Sequence, residues 1–197
     1  MQLAKDGKLP AELKPAATTA LNLVQYPTLK ADLAALFPAP AALGGKTLPA
    51  IAELVKTTGD ISKGKAIAER LESSCVTCHR IGGAGVDFGP ALSEIGSKLP
   101  KEAIYDAIIN PNTGISMGFE TTQLETKDGG ATGIVRSETA DELVLALPAG
   151  ATMKFPKKQI TKREKLTTSM MPSGLNQALS QQDLTDLVEY LASLKKK

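Results

Sequence analysis

Apolar residues recur at three-to-four spacing in three long stretches of the chain and at near-alternating spacing in one, and this change of period is the first guide to its organisation. From a cap residue at Asp60, the stretch Ile61 to Ser73 places Gly64, Ile67, Ala68 and Leu71 on one face of a predicted helix. A second helix is predicted from Pro100 to Ile109, with Ile104 and Ile108 one turn apart. Asn110-Pro111 stops it, because the residue before a proline is driven out of the helical region. A final helix opens at Ser180 with Asp183 in capping-box position, and lines Leu184, Leu187, Val188, Leu191 and Leu194 along one side. Between the second and the final helix, Phe119 to Thr126, Ala131 to Ser137, Glu142 to Leu147 and Thr152 to Ile160 are rich in threonine, valine, leucine and phenylalanine. Asp128-Gly129-Gly130, Thr139-Ala140-Asp141 and Pro148-Ala149-Gly150 separate them, which predicts a small antiparallel meander or barrel. Residues 1–58 are rich in alanine and leucine and broken by Pro10, Pro15, Pro27, Pro38, Pro40 and Pro49, so short helices are expected there, including Ala31 to Phe37 and Pro49 to Lys56.

Composition narrows the class. With 42% hydrophobic and 22% charged residues the chain has the balance of a globular protein with a real core. A formal charge of +2, with no basic stripe interleaved with aromatics, gives no ground for a nucleic-acid partner, and Lys195-Lys196-Lys197 reads as a solvated end. Charged residues and prolines interrupt every apolar run before it reaches the length of a membrane span. The amino terminus lacks a basic segment leading into an apolar run, so either a signal has been removed or the chain is part of a longer one. Two cysteines and one histidine are too few for a four-ligand zinc site made of those residues. Any Ser-His-Asp or Cys-His constellation would have to use His79, which already sits beside both cysteines.

Those three residues form Cys75-Val76-Thr77-Cys78-His79, and Cys-x-x-Cys-His is the attachment signature of c-type haem. Thiols with two residues between them can reach the two vinyl groups of one porphyrin, while the adjacent histidine is brought to the iron from the same side. The alternatives are a thiol redox pair or part of a zinc site. A redox pair belongs at a strand-to-helix junction, and here the pair follows a predicted helix and precedes the glycine-rich run Gly82-Gly83-Ala84-Gly85. With one histidine, two-histidine ligation within the chain is impossible, and methionine is the natural second ligand of an electron carrier. Of the five methionines, Met1 is terminal and Met153 lies in a predicted strand, leaving Met117, Met170 and Met171. Gly89-Pro90 and Leu92 read either as a turn and a core residue, or as a contact in which the Pro90 carbonyl accepts from the outer nitrogen of His79. Lys157-Lys158 and Lys162-Arg163 read as a solvated sheet edge in preference to a docking patch.

Taken in order, Gly64-Lys65-Ala66, Cys75 to Arg80, Gly89-Pro90-Ala91-Leu92, Asn110-Pro111, Gly118-Phe119-Glu120, Lys127-Asp128-Gly129 and Ser169 to Leu175 give residues 59–197 a family likeness. This part resembles the haem-binding cytochrome c domains at the carboxyl ends of large secreted proteins of planctomycetes and verrucomicrobia. Family members commonly carry aspartate where this chain has Ala91 and Asn110. The resemblance implies a mainly α fold, the class I cytochrome c helices interrupted by a small antiparallel β insertion and preceded by short helices. It divides the chain into a helical lead-in over residues 1–58, a cytochrome c domain over 59–118 and 166–197, and the insertion over 119–165. It implies that the first and last haem-domain helices cross closely, Gly64 and Ala68 leaving room for Tyr190 and Leu194.

The implied site is one covalently bound haem c held by Cys75 and Cys78, with His79 and Met171 on the iron and Pro90 and Leu92 beside it. Met171 is favoured over Met117 and Met170 because Pro172 holds it in extended geometry and because class I cytochromes place such a methionine before the last helix. The expected role is one-electron transfer without substrate chemistry, from a dehydrogenase, on the same parent chain in the family's usual arrangement, to another cytochrome or an oxidase. The expected location is periplasmic or otherwise extracytoplasmic. A haem enzyme or gas sensor with an open iron position is the alternative, disfavoured by the lack of a distal histidine. The β segment reads as structural filler more readily than as a binding module.

Overall fold

The computed structural model describes residues 48–70 and 75–196. Helices α1 (Ile51–Leu54), α2 (Ile61–Glu69), α3 (Cys75–Cys78), α4 (Ile95–Lys98) and α5 (Lys101–Ile109) come first. Strands β1 (Thr121–Thr126), β2 (Gly129–Glu138), β3 (Glu142–Ala146), β4 (Thr152–Pro156) and β5 (Ile160–Lys165) follow, and helix α6 (Gln181–Ser193) closes the fold. The helix expected over Ala31 to Phe37, and the lead-in up to residue 47, lie outside the described residues.

Local chemistry sets the ends of the main helices. The Asp60 carboxylate accepts from the Ser62 and Lys63 amides and caps α2. Ser180 and Asp183 form the reciprocal capping box of α6, satisfying donors that the first turn would otherwise leave unpaired. α2 and α6 then cross in direct contact. A Cβ on Gly64 would stand 1.9 Å from the Asp186 carbonyl oxygen and 2.7 Å from Tyr190 Cβ, so only glycine admits this approach. The crossing is fixed by polar ties as well. The Asp60 amide donates to Asp186 Oδ1 at 2.8 Å, and Gln182 Nε2 donates to the same oxygen at 2.8 Å, which satisfies a carboxylate only 2% exposed. Around the crossing, Leu54, Ile67, Ile104, Tyr105, Leu184 and Val188 form the helical core.

The expectation of a mainly α fold with a small β insertion is not met. The strands form one five-stranded antiparallel sheet in the order β4-β3-β2-β1-β5, with 23% of the described residues in strand against 37% helical. The sheet is a principal part of the fold. β1 to β4 run as a meander, and the strand predicted over Thr152 to Ile160 ends at Pro156, with Ile160 opening a fifth strand that the sequence pattern does not predict. Pro156, which has no amide to donate, ends β4, and after a 3-10 turn at Lys157–Gln159 the chain crosses to pair β5 with β1. β5 reads Ile-Thr-Lys-Arg-Glu-Lys and is exposed along nearly its whole length, so it carries no apolar alternation that a sequence pattern could detect. Its charges guard a sheet edge. Arg163 and Lys157 both pair with Glu138, at 3.0 and 2.8 Å, and Lys165 pairs with Glu120 at 3.6 Å.

The sheet has two working faces because successive residues point to opposite sides. Leu124, Leu143, Leu145 and Phe155 pack with Val135 into a core of the sheet's own. Ile134 and Ala146, paired in register, point the other way and pack with Phe88 of the loop that follows α3. Each large side chain buried there contributes roughly 1.5–3 kcal/mol. The sheet is therefore joined to the helical part through the segment that carries the Cys-x-x-Cys-His motif. No helix among the described residues is long and apolar enough to cross a membrane.

Candidate functional site

The site is built on one helical turn and the loop that folds back over it. α3 is a single turn, closed by the His79 amide donating to the Cys75 carbonyl at 2.8 Å, so that both thiols and the imidazole project from one short coil. The following loop reverses at Gly82 and Gly83, whose φ values of 57° and 94° suit residues without a side chain. It then returns alongside the motif. The Val86 amide donates to the Val76 carbonyl at 3.0 Å, and the Phe88 and Gly89 amides both donate to the Cys78 carbonyl, at 3.1 and 2.6 Å. The Leu92 amide completes the wrap by donating to the Arg80 carbonyl at 2.9 Å.

This wrap lays Gly89-Pro90 against the imidazole. His79 Nδ1 stands 2.6 Å from the Pro90 carbonyl oxygen. A carbonyl can only accept, so the bond places the proton on Nδ1 and leaves the Nε2 lone pair available. A Cβ on Gly89 would come within 2.6 Å of His79 Cε1 and 2.9 Å of Nδ1, which makes glycine part of the cradle. Burial holds the His79 pKa below its usual value, opposed by the bond to Pro90, so the ring is kept neutral. Burial pushes the Cys78 thiol up, and the Thr77 hydroxyl at 3.8 Å from its sulfur pulls the other way. Cys75 and Cys78 are both half-buried and form no disulfide.

The apolar surroundings come from both parts of the fold. Cys75, Val76, Leu92 and Met171 pack against the helical core that includes Ile81 and Tyr105. Cys78, Val86, Phe119 and Met170 pack against Phe88, Ile134 and Ala146. Met171 and Met170 thus reach different clusters. Met117 stands 92% exposed on a loop and joins neither. Sequence reasoning passed over Phe88, the one aromatic in the glycine-rich loop, which its composition could have flagged. Ile134 and Ala146 carried no local signal, since only the register of β2 and β3 brings them to the motif.

The donor set is two thiols and one neutral imidazole, set among apolar side chains and backbone wrapped tightly around the imidazole, with the half-buried Met171 packed against the same helical core. It suits a large planar group attached through sulfur and ligated by nitrogen, and it is poor in the carboxylates that a bare cation would require. Among the described residues no group of three or more His, Cys, Asp and Glu converges as a site for a metal ion. Residues 61–144 match the family model Cytochrome c, a span that takes in α2, the Cys-x-x-Cys-His turn, the wrapping loop, α5 and the first strands. No curated protein matches the chain.

Proposed function

We propose that this chain is a single-haem module for one-electron transfer with redox partners, a reading supported by the match of residues 61–144 to the family model Cytochrome c and by covalent haem c with iron as the cofactor such a domain implies. Cys75 and Cys78 would attach the group as thioethers, and His79 would ligate through Nε2. Met171 would supply the second ligand. The haem iron supplies the redox chemistry, gaining and losing one electron. The chain's residues set how readily it does so. The Pro90 carbonyl holds the Nδ1 proton, fixing the tautomer and the plane of the ring and raising the basicity of Nε2. The Met171 thioether is neutral and favours the reduced metal, which raises the potential. Leu92, Ile81 and Tyr105 on one side, and Phe88 and Ile134 on the other, keep water from the site.

The observation that carries this reading is the 2.6 Å contact between His79 Nδ1 and Pro90, on a turn that also presents the two thiols. Residues 59–118 and 166–197 then make the haem-bearing unit, with the sheet as its second wall. Electrons arrive from a dehydrogenase, on the same parent chain in the arrangement this sequence resembles, and leave to another cytochrome or an oxidase. Cytochrome c domains are typically extracytoplasmic, and the module works in the periplasm or an equivalent compartment.

Acid denaturation of protein produced with the haem-attachment machinery tests the attachment. The expected intact mass is that of polypeptide plus haem, and the mass of bare polypeptide sinks it. Met171→Ala tests the ligand. It should abolish the weak sulfur-to-iron absorption at the red end of the ferric spectrum, lower the potential and open the iron to carbon monoxide. Retention of the band in this variant, with its loss in Met117→Ala, would move the ligand to the loop after α5.

A further inference from the structure

The segment that bears Met171 lies between β5 and the 3-10 turn at Leu175–Ala178, outside any regular element, and Pro172 contributes no amide to hold it. Its backbone is held by side chains from elsewhere. Asn112 lies in the loop after α5, and its Oδ1 accepts from the Ser169 amide at 2.7 Å. Its Nδ2 donates to Ser173 Oγ at 3.5 Å, so one amide side chain reaches both sides of Met170-Met171-Pro172. The grip passes inward, because Ser169 Oγ accepts from the Met171 amide at 3.1 Å. Asn112 is itself anchored. Asp106 of α5 accepts from Asn110 Nδ2 at 2.8 Å and from Thr113 Oγ1 at 3.0 Å, fixing the turn on either side of Asn112 to a helix whose Ile104, Tyr105 and Ile108 lie in the core.

We infer that Asn112 is a positioning residue for the sixth ligand, a polar clamp that holds Met171 on the iron and slows its exchange for outside ligands. The inference rests on the assignment of Met171 above. Asn112 acts through its bonds to Ser169 and Ser173. Both of its bonds are solvent-exposed, so each contributes modestly, and their effect falls on how often the segment opens.

The experiment uses the full haem-loaded chain and follows displacement of the thioether by imidazole in the ferric protein by stopped flow. Asn112→Ala removes both bonds and should speed displacement roughly 3–10-fold, the range set by losing one or two exposed hydrogen bonds. Ser169→Ala, which breaks the inward step, should do the same. Asn112→Asp keeps an acceptor for the Ser169 amide and for the Ser173 hydroxyl, and should exchange within about twofold of the parent, a rescue that loss of general stability would not give. Wild-type exchange in Asn112→Ala, or Asn112→Asp as fast as Asn112→Ala, overturns the clamp while the Met171 assignment stands. Persistence of the sulfur-to-iron band in Met171→Ala overturns the assignment itself, whatever the Asn112 variants do.

Discussion

A methyl group at residue 89 would collide with the imidazole it faces, 2.6 Å from Cε1, in a place where the Phe88 and Gly89 amides are both fixed by bonds to the Cys78 carbonyl. Gly89→Ala is therefore expected to push His79 off the Pro90 carbonyl and to cost about 1–3 kcal/mol, the usual range for overpacking. In haem-loaded protein the lost bond makes Nε2 less basic, so the potential should rise as the melting temperature falls. An unchanged potential would show that the bond to Pro90 does not tune the ligand. Much at this scale was legible. The motif names three side chains by spacing alone, and Gly89-Pro90 follows close enough in the chain to return to His79. Asn112, Ser169 and Ile134 were not legible, because each acquires its neighbours through tertiary contacts that have no trace in local sequence.

Among the elements, α2 and α6 depend most on one another. Gly64→Ala already places a methyl inside the Asp186 carbonyl, and should destabilise by about 1–3 kcal/mol or more, read as a fall in melting temperature. Retention of the parent's melting temperature would mean that the helices separate at no cost. α5 and α6 are joined by Lys101 Nζ donating to Glu189 Oε2 at 2.6 Å. This bond holds the Glu189 carboxyl below its usual range against a burial effect of opposite sign, helped by the Gly59 amide. A carboxyl depressed on folding stabilises fully above its unfolded pKa of about 4.3, and the stability is lost as pH falls through the folded value. Lys101→Met should accordingly flatten the acid limb of the stability profile and cost at most about 1 kcal/mol near neutrality. A parallel acid limb would mean the pair is idle. The caps at Asp60 and Ser180 were readable because capping is local. The break at Pro156 and the return of β5 were not, since a charged edge strand imitates a loop in pattern.

At the scale of the whole molecule the sheet covers the Cys78 side of the site. Ile134 and Ala146 bury Phe88, Arg136 donates to the Asp87 carbonyl, and a Cβ on Gly150 would stand 3.0 Å from Val86 Cγ1. Thr121 at the head of β1 donates to the Thr168 carbonyl at 2.5 Å, which ties the sheet to the methionine segment as well. Joining Gly118 to Thr167 through a short glycine linker should therefore leave haem attached to the cysteines but strip Phe88 and Met170 of their cover, with a drop in melting temperature of 10 °C or more, as loss of several buried side chains would give. A shortened protein as stable as the parent would return the sheet to the status of filler.

The contact between Asp60 and Asp186 spans 126 positions, and that separation carries a time. At about 5–20 residues per second, Asp186 is made roughly 6–25 s after Asp60. For most of that interval, once residues up to His79 have been made, α2 and the turn from Cys75 to His79 are without the helix that closes over α2. The two thiols are thus on the chain well before the helix that completes the core around them.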